Sequence, residues 1–144
     1  MPLMSREQVM EIIPHRDPIL LVDEVVEMVA EESIITRFYV DPAMEIFKGH
    51  FPGAPVFPGV YTTESIAQTA DILLLSMERY KGKTPFFIGI DKVKFKSKIS
   101  PGDTLEVHLK LSEERVDKAI ATCSAEAFVR GELAATGDVT LAMR

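Results

Sequence analysis

The stretch "GHFPGAPVFPGVYTTESIAQTADILLL", residues 49–75, decides the fold because it joins a rigid loop to an apolar helix. Three prolines and three glycines restrict residues 49–60 around a single histidine, His50. Across residues 60–80, apolar side chains recur at the spacing of one helix face, and Lys81, Gly82 and Lys83 predict its end. The sequence therefore predicts a long helix that begins directly after a loop of fixed shape.

The rest of the chain predicts a short helix after Ser5 and six strands. The predicted strands span residues 19–29, 33–40, 86–99, 104–112, 118–130 and 133–144. One face of the strand at 118–130 carries only small side chains, which leaves room for the long helix: Ala119, Ala121, Cys123, Ala125 and Ala127. This order predicts an α+β fold in one domain, residues 1–144, with a central helix wrapped by an antiparallel sheet. Because one helix covers a wide sheet poorly, we also expect a two-fold dimer.

Composition argues against several classes of function. The net charge of −6 argues against nucleic acid as the main partner, because phosphate binding needs a basic surface. A single cysteine, the lack of a signal-peptide pattern and the lack of a long apolar run predict a soluble cytoplasmic protein without membrane contact. The three histidines have no metal-ligand spacing, so we expect no metal site; His15 is interpreted as structural and His108 as exposed.

The loop and the helix start offer three groups for acid–base chemistry. His50 is a natural general base, Glu64 lies in the first turns of the helix, and Gly59 presents a backbone N–H at the helix start. Together they would suit removal of a proton beside a thioester and expulsion of a β-hydroxyl group. The residues alone leave simpler interpretations open: a surface histidine in a rigid turn, and a glutamate that only stabilises the helix dipole.

Three motifs resemble the FabZ-type 3-hydroxyacyl-(acyl carrier protein) dehydratases in order and spacing: "PHRDPILLVDEV", "GHFPGAPVFPGVYTTESIAQ" and "GIDKVKFKSKISPGDTL". The resemblance covers nearly the whole chain. It implies the hot-dog fold, a homodimer commonly assembled as a trimer of dimers, and no metal or organic cofactor. It also implies the reaction, which is reversible loss of water from a 3-hydroxyacyl chain on acyl carrier protein, as in type II fatty acid biosynthesis.

The same resemblance assigns residues to the site. It implies that His50 is the catalytic base and Glu64 the catalytic acid, and that the two meet across the dimer interface. Gly59 matches the residue whose amide holds the thioester carbonyl, and Gln68 matches a glutamine close to the site. Further candidates for substrate contact are Phe57, beside the loop, and Phe86 and Phe87, near the mouth of the acyl tunnel.

Two further features bear on docking and on the shape of the tunnel. Lys92, Lys94, Lys96 and Lys98 alternate along one predicted strand face, which fits either a solvated edge strand or a docking patch for an acidic carrier protein. Asp17, Tyr61 and Asp71 depart from residues common in the family, and they could alter the tunnel and thus the preferred chain length.

Other functions fit the pattern less well. A FabA-type dehydratase/isomerase would carry aspartate at the position of Glu64. A hot-dog hydratase or thioesterase remains an alternative, although the "GHFPG" loop is not the thioesterase signature. A non-catalytic module that senses acyl thioesters would have no reason to keep both His50 and Glu64.

Overall fold

The computed structural model describes residues 2–144 and shows two α-helices and a six-stranded antiparallel sheet. The sheet has the order β1-β2-β4-β5-β6-β3, so β1 and β3 are its edges. The helices are α1 (Arg6–Ile12) and α2 (Gly59–Leu75); the strands are β1 (Glu24–Val29), β2 (Ser33–Tyr39), β3 (Pro85–Phe95), β4 (Thr104–Arg115), β5 (Ile120–Val129) and β6 (Glu132–Met143). The predicted α+β hot-dog architecture is confirmed.

Helix α2 is the centre of the molecule, with 13 of its 17 residues buried. The small-residue face predicted for β5 packs inward, and Ala121, Cys123, Ala125 and Ala127 are all buried. Small side chains bring the strand backbone close to the helix, as the pattern predicted. The helix is buried on more than its apolar face, because Gln68 and Asp71 are also enclosed.

The predicted end of α2 at residues 81–83 is wrong. The helix stops at Leu75, and the hydroxyl of Ser76 donates to the Ile72 carbonyl in its last turn. A separate turn of 3₁₀ helix follows and carries Tyr80 into the core, where its hydroxyl donates to Glu114. The buried Tyr80, rather than the cationic residues beyond it, determines the path of the chain here.

The predicted strand 19–29 begins only at Glu24. Leu20 and Leu21 are buried like strand residues, but the backbone of Ile19 and Leu21 bonds to side chains of α2 instead of to a strand. Gln68 accepts from the Leu21 N–H at 2.7 Å and donates to the Ile19 carbonyl at 2.7 Å. The segment is therefore fastened across the helix that carries Glu64.

Strand β3 ends at Phe95 rather than at residue 99, and a β-bulge interrupts it. Asp91 pairs with Asp138 and Lys94 with Thr136, so two residues of β3 oppose Gly137 alone. A Cβ at Gly137 would lie 2.8 Å from the Cγ2 of Val93, so the close approach of the bulge requires glycine there. The strict alternation predicted for the lysines is therefore wrong at Lys92, which has a positive φ of 54° within the bulge.

Candidate active site

The loop that carries His50 is closed by its own hydrogen bonds. The Val56 N–H donates to the His50 carbonyl at 2.9 Å, and Phe51 and Ala54 exchange backbone hydrogen bonds in between. The loop is also anchored at both ends, since the His50 N–H donates to Ile46 and the Phe57 N–H donates to Ile99. A loop with this many internal constraints holds a side chain in a defined direction.

The imidazole of His50 is oriented for use as a base. Its Nδ1 lies 2.8 Å from the Val56 carbonyl oxygen, and its ring stacks on that of Phe51 with centroids 4.0 Å apart. Because a carbonyl oxygen can only accept, Nδ1 must carry the hydrogen. In the neutral ring the lone pair is then on Nε2, the nitrogen that can accept a proton from a substrate.

Glu64 lies one turn along α2, and its carboxylate is held by the next residue on the same face. The Nε2 of Gln68 donates to the Oε2 of Glu64 at 2.8 Å. Gln68 is fully buried, and its amide oxygen and nitrogen are both bonded to protein groups. The Gln68 side chain therefore orients the carboxylate of Glu64 and at the same time holds residues 19–21 against α2.

Sequence reasoning assigned His15 a structural role, whereas the structure places it beside Glu64. The Nε2 of His15 lies 3.8 Å from the Oε2 of Glu64 and 3.7 Å from the Oδ2 of Asp71. Burial lowers the pKa of His15, and Arg16 lowers it further against the opposing effect of Glu64. Burial, together with the charge of Glu64, raises the pKa of Asp71 well above the usual range of a carboxyl group.

Gly59 is the first residue of α2, so its N–H precedes the hydrogen-bond ladder of the helix. The ring of Phe95, at the end of β3, covers it closely. A Cβ at this position would lie 2.9 Å from the Cζ of Phe95. The absence of a side chain therefore lets an aromatic ring approach the backbone donor that the sequence predicted.

Comparison with known proteins identifies the family. The chain is 43% identical over 136 residues to the 3-hydroxyacyl-[acyl-carrier-protein] dehydratase FabZ of Oenococcus oeni, covering 94% of this chain and 96% of the relative. It is 46% identical over 136 residues to the FabZ of Lactococcus lactis subsp. cremoris, covering 94% and 92% of the two chains. The chain belongs to the FabZ family. The family model of the ApeI-like dehydratases also matches, over residues 26–132.

A solved structure shares the fold of this FabZ-family chain at low sequence identity. It is the dehydratase heterocomplex ApeI:P from Xenorhabdus doucetiae, with a TM-score of 0.79 at 15% identity. The match covers 100% of this chain and 91% of the other. At that identity the likeness concerns the fold alone.

The other residues expected at the site are distributed over two regions. Phe57 lies in the core, 3% exposed, with its ring 6.1 Å from that of Phe38 and edge-on to that of Tyr61. Phe86 and Phe87 alternate along β3, so Phe87 packs on the core and Phe86 is 51% exposed. These aromatic residues therefore do not form one cluster within a single chain.

A groove of about 750 Å³ lies between the first turn of α2 and the segments 17–23 and 41–46. Asp17 and Tyr61, which depart from the family pattern, both line it. His50 and Glu64 do not line it, and no ion pair joins these two side chains within residues 2–144 of one chain. Within one chain, the two predicted catalytic side chains are therefore not joined by an ion pair.

Three further predictions concern His108, metals and membranes. His108 is an outer-face residue of β4, 40% exposed and 2.7 Å from the Oε2 of Glu106. In the part of the chain that the structure describes, no three His, Cys, Asp or Glu side chains converge so as to hold a metal ion. None of the helices within residues 2–144 has the length and apolar character needed to cross a bilayer.

Proposed function

We propose that this protein catalyses the reversible dehydration of 3-hydroxyacyl chains on acyl carrier protein to the trans-2-enoyl form, in type II fatty acid biosynthesis. The observation that carries the proposal is the fixed tautomer of His50, whose Nδ1 is bonded to Val56 and whose Nε2 is free to accept a proton. The FabZ relatives, which match this chain over nearly its full length, are dehydratases of this substrate class.

The proposed reaction uses three groups of the protein. The Nε2 of His50 takes a proton from C2, and the electrons of that C–H bond move toward the thioester carbonyl, whose oxygen accepts from the Gly59 N–H. Glu64 donates a proton to the β-hydroxyl, the C3–O bond breaks, and water leaves as the C2=C3 double bond forms. Gln68 does not need to touch the substrate, because it acts by orienting the Glu64 carboxylate.

We propose that the site forms between two copies of the chain, with His50 from one protomer and Glu64 from its partner. Edge strand β3 supports this arrangement because it is 11 residues long and exposes Phe86, Ile88 and Ile90. An apolar edge strand with unpaired backbone groups favours pairing with another chain. Two-fold pairing at β3 would bury these side chains and join the two sheets; assembly of three such dimers is the further proposal.

Lys94, Lys96 and Lys98 are proposed as contacts for the carrier protein. All three side chains are exposed, and Lys94 and Lys96 are adjacent to Phe95, which covers Gly59. A basic patch on a chain of net charge −6 would attract an acidic partner to this location.

The reaction is tested by the ultraviolet absorbance of a crotonyl thioester incubated with the purified full chain. We expect hydration by the wild type and a loss of about 10²–10⁴-fold in kcat/KM for both His50→Ala and Glu64→Gln. His108→Ala is the matched control, since this exposed histidine lies on the outer face of β4, and it retains wild-type activity. Full activity in both site variants would refute the mechanism, and release of a free thiol instead of hydration would indicate a thioesterase.

Mixed dimers test whether the site is shared. Co-expression of the inactive His50→Ala and Glu64→Gln chains gives heterodimers in which one site carries both changes and the other carries neither. We therefore expect activity to return to about a quarter of the wild-type value for random mixing of protomers. No recovery in heterodimers of verified composition would place both side chains on the same chain.

A further inference from the structure

Three titratable side chains, those of His15, Glu64 and Asp71, lie close together. The same nitrogen of His15, Nε2, faces the Oε2 of Glu64 at 3.8 Å and the Oδ2 of Asp71 at 3.7 Å. Both distances exceed a hydrogen bond by less than about 1 Å, a gap that small torsion changes close. His15 is therefore the only side chain among the described residues placed within 4 Å of both carboxyl groups through one atom that can accept and donate a proton.

The backbone holds this arrangement in place. Glu64 and Asp71 are seven residues apart on α2, two turns along one face. His15 approaches from the preceding loop, where the guanidinium of Arg16 donates to the carbonyls of Met10, Ile13 and His15 itself. Both carboxyl groups thus lie within 4 Å of the Nε2 of His15, and Glu64 is the most exposed of the three side chains.

Asp71 is the inner member of the set, and its environment favours the neutral acid. Its side chain is 3% exposed, and neither its Oδ1 nor the Nδ1 of His15 has a hydrogen-bond partner within residues 2–144. A buried carboxylate without partners is far more costly than a buried carboxylic acid. The raised pKa of Asp71 agrees with this conclusion.

We propose that Asp71 and His15 form a proton store behind Glu64, from which a proton passes from Asp71 to the Nε2 of His15 and then to the Oε2 of Glu64. The proposal rests on the proposed function, in which Glu64 is the acid. The Asp71 O–H bond breaks as N–H forms on a neutral His15 that is protonated at Nδ1. That N–H breaks as O–H forms on Glu64, which leaves His15 unchanged and Asp71 as a carboxylate. Asp71 recovers its proton by the reverse path after Glu64 takes up a proton from the solvent, and the His50 imidazolium returns to the solvent the proton that it took from C2.

The remaining groups near the store do not compete for the proton. Cys123 of β5 lies within electrostatic reach of Asp71, but burial raises the pKa of its thiol to about 12, so it stays neutral. The Arg16 guanidinium stays charged, and it acts on His15 against protonation. Glu64 is the one group of α2 whose charge acts on Asp71.

The store makes a specific prediction about pH. With Asp71 present, a second group of the site holds a transferable proton at pH values above the ordinary carboxyl range. Without Asp71, Glu64 must take each proton from solvent, so the alkaline decline in activity begins at a lower pH. Because dehydration releases no net proton, kcat/KM has the same pH dependence in both directions, so hydration of a crotonyl thioester reports it.

The experiment is the pH profile of kcat/KM from about pH 5.5 to pH 9 for the wild type, Asp71→Asn and His15→Gln. Both variants keep the approximate size of the side chain and remove its ability to carry the proton. We expect the alkaline limb to move down by about one pH unit in each, so that kcat/KM falls about tenfold at pH 8 and less than about threefold at pH 6. Asp117→Asn, an exposed aspartate with a 68% accessible side chain, is the matched control and keeps the wild-type limb.

The outcomes separate the two proposals. A uniform loss with an unshifted limb in both variants, each folded by thermal melting, would overturn the store and assign the residues a purely structural role. A shift in only Asp71→Asn would overturn the path through His15. If the wild type itself hydrates no thioester, the proposed function fails first.

Discussion

Replacing Gln68 with leucine tests how the fold and the site are joined. The side chain is fully buried, and leucine has nearly the same volume, so the change removes hydrogen bonds without opening a large cavity. The buried Leu21 N–H loses its acceptor and the Ile19 carbonyl, which lies closer to solvent, loses its donor. Counting about 2 kcal/mol for the first group and about 1 kcal/mol for the second, we expect a loss of roughly 3 kcal/mol in unfolding free energy.

Thermal melting at fixed protein concentration measures this loss. For a chain of this length, about 3 kcal/mol corresponds to a fall in Tm of roughly 10 °C. The matched control is Gln8→Leu, because Gln8 is an exposed capping-box residue of α1 whose side chain accepts from the Ser5 N–H. That variant should lose at most about 1 kcal/mol. A fall in Tm no larger for Gln68→Leu than for Gln8→Leu would refute the view that Gln68 fastens residues 19–21.

Three further predictions concern charge. Because the pKa of Asp71 is raised on folding, wild-type stability decreases as the pH rises above the ordinary carboxyl value of about 3.9. The Asp71→Asn variant lacks this decrease. In paired thermal melts, its Tm relative to that of the wild type should therefore rise between pH 4 and pH 8. The contribution of Glu114 to stability has the opposite pH dependence, because hydrogen bonds from Arg79 and Tyr80 lower the pKa of its carboxyl group. Glu114→Gln should cost about 2 kcal/mol at pH 7 in urea unfolding and progressively less as the pH falls below the ordinary carboxyl value. Lys94→Glu with Lys96→Glu should raise KM about tenfold for substrate on acyl carrier protein and leave a small-molecule thioester unaffected; equal KM values for both substrates would exclude the docking patch.

The elements governed by local pattern were predicted well from the sequence. The alternation in β4 and the small-residue face of β5 place their side chains as expected, because each depends on period-two geometry alone. The start of α1 was also predictable from local sequence, because Ser5 and Gln8 form a capping box within four consecutive residues. These features need no information about distant parts of the chain.

The errors all involve partners far apart in sequence. Residues 19–21 have the composition of a strand, but the Leu21 N–H and the Ile19 carbonyl bond to Gln68, 47 residues beyond Leu21. The helix was predicted too long because the Tyr80 hydroxyl bonds to Glu114 of β4, 34 residues further along the chain. The local spacing of apolar residues carries no information about that partner. No spacing rule could have indicated that His15 lies beside Glu64; only the "PHRDP" turn, matched as a motif, suggested a fixed position.

Three buried polar residues of α2, Gln68, Thr69 and Asp71, show how the fold and the chemistry are separated. Gln68 and Thr69 are fully bonded, Gln68 to residues 19–21 and Thr69 to Thr36 and Ser65, and so they stabilise the chain's path around the helix. Asp71 leaves an oxygen unpaired in the core, which costs stability. A residue that weakens the folded state persists most readily where it serves the reaction, and Asp71 lies within reach of the one histidine that also faces Glu64. The cost of burying Asp71 is therefore best explained as part of how the site holds its proton.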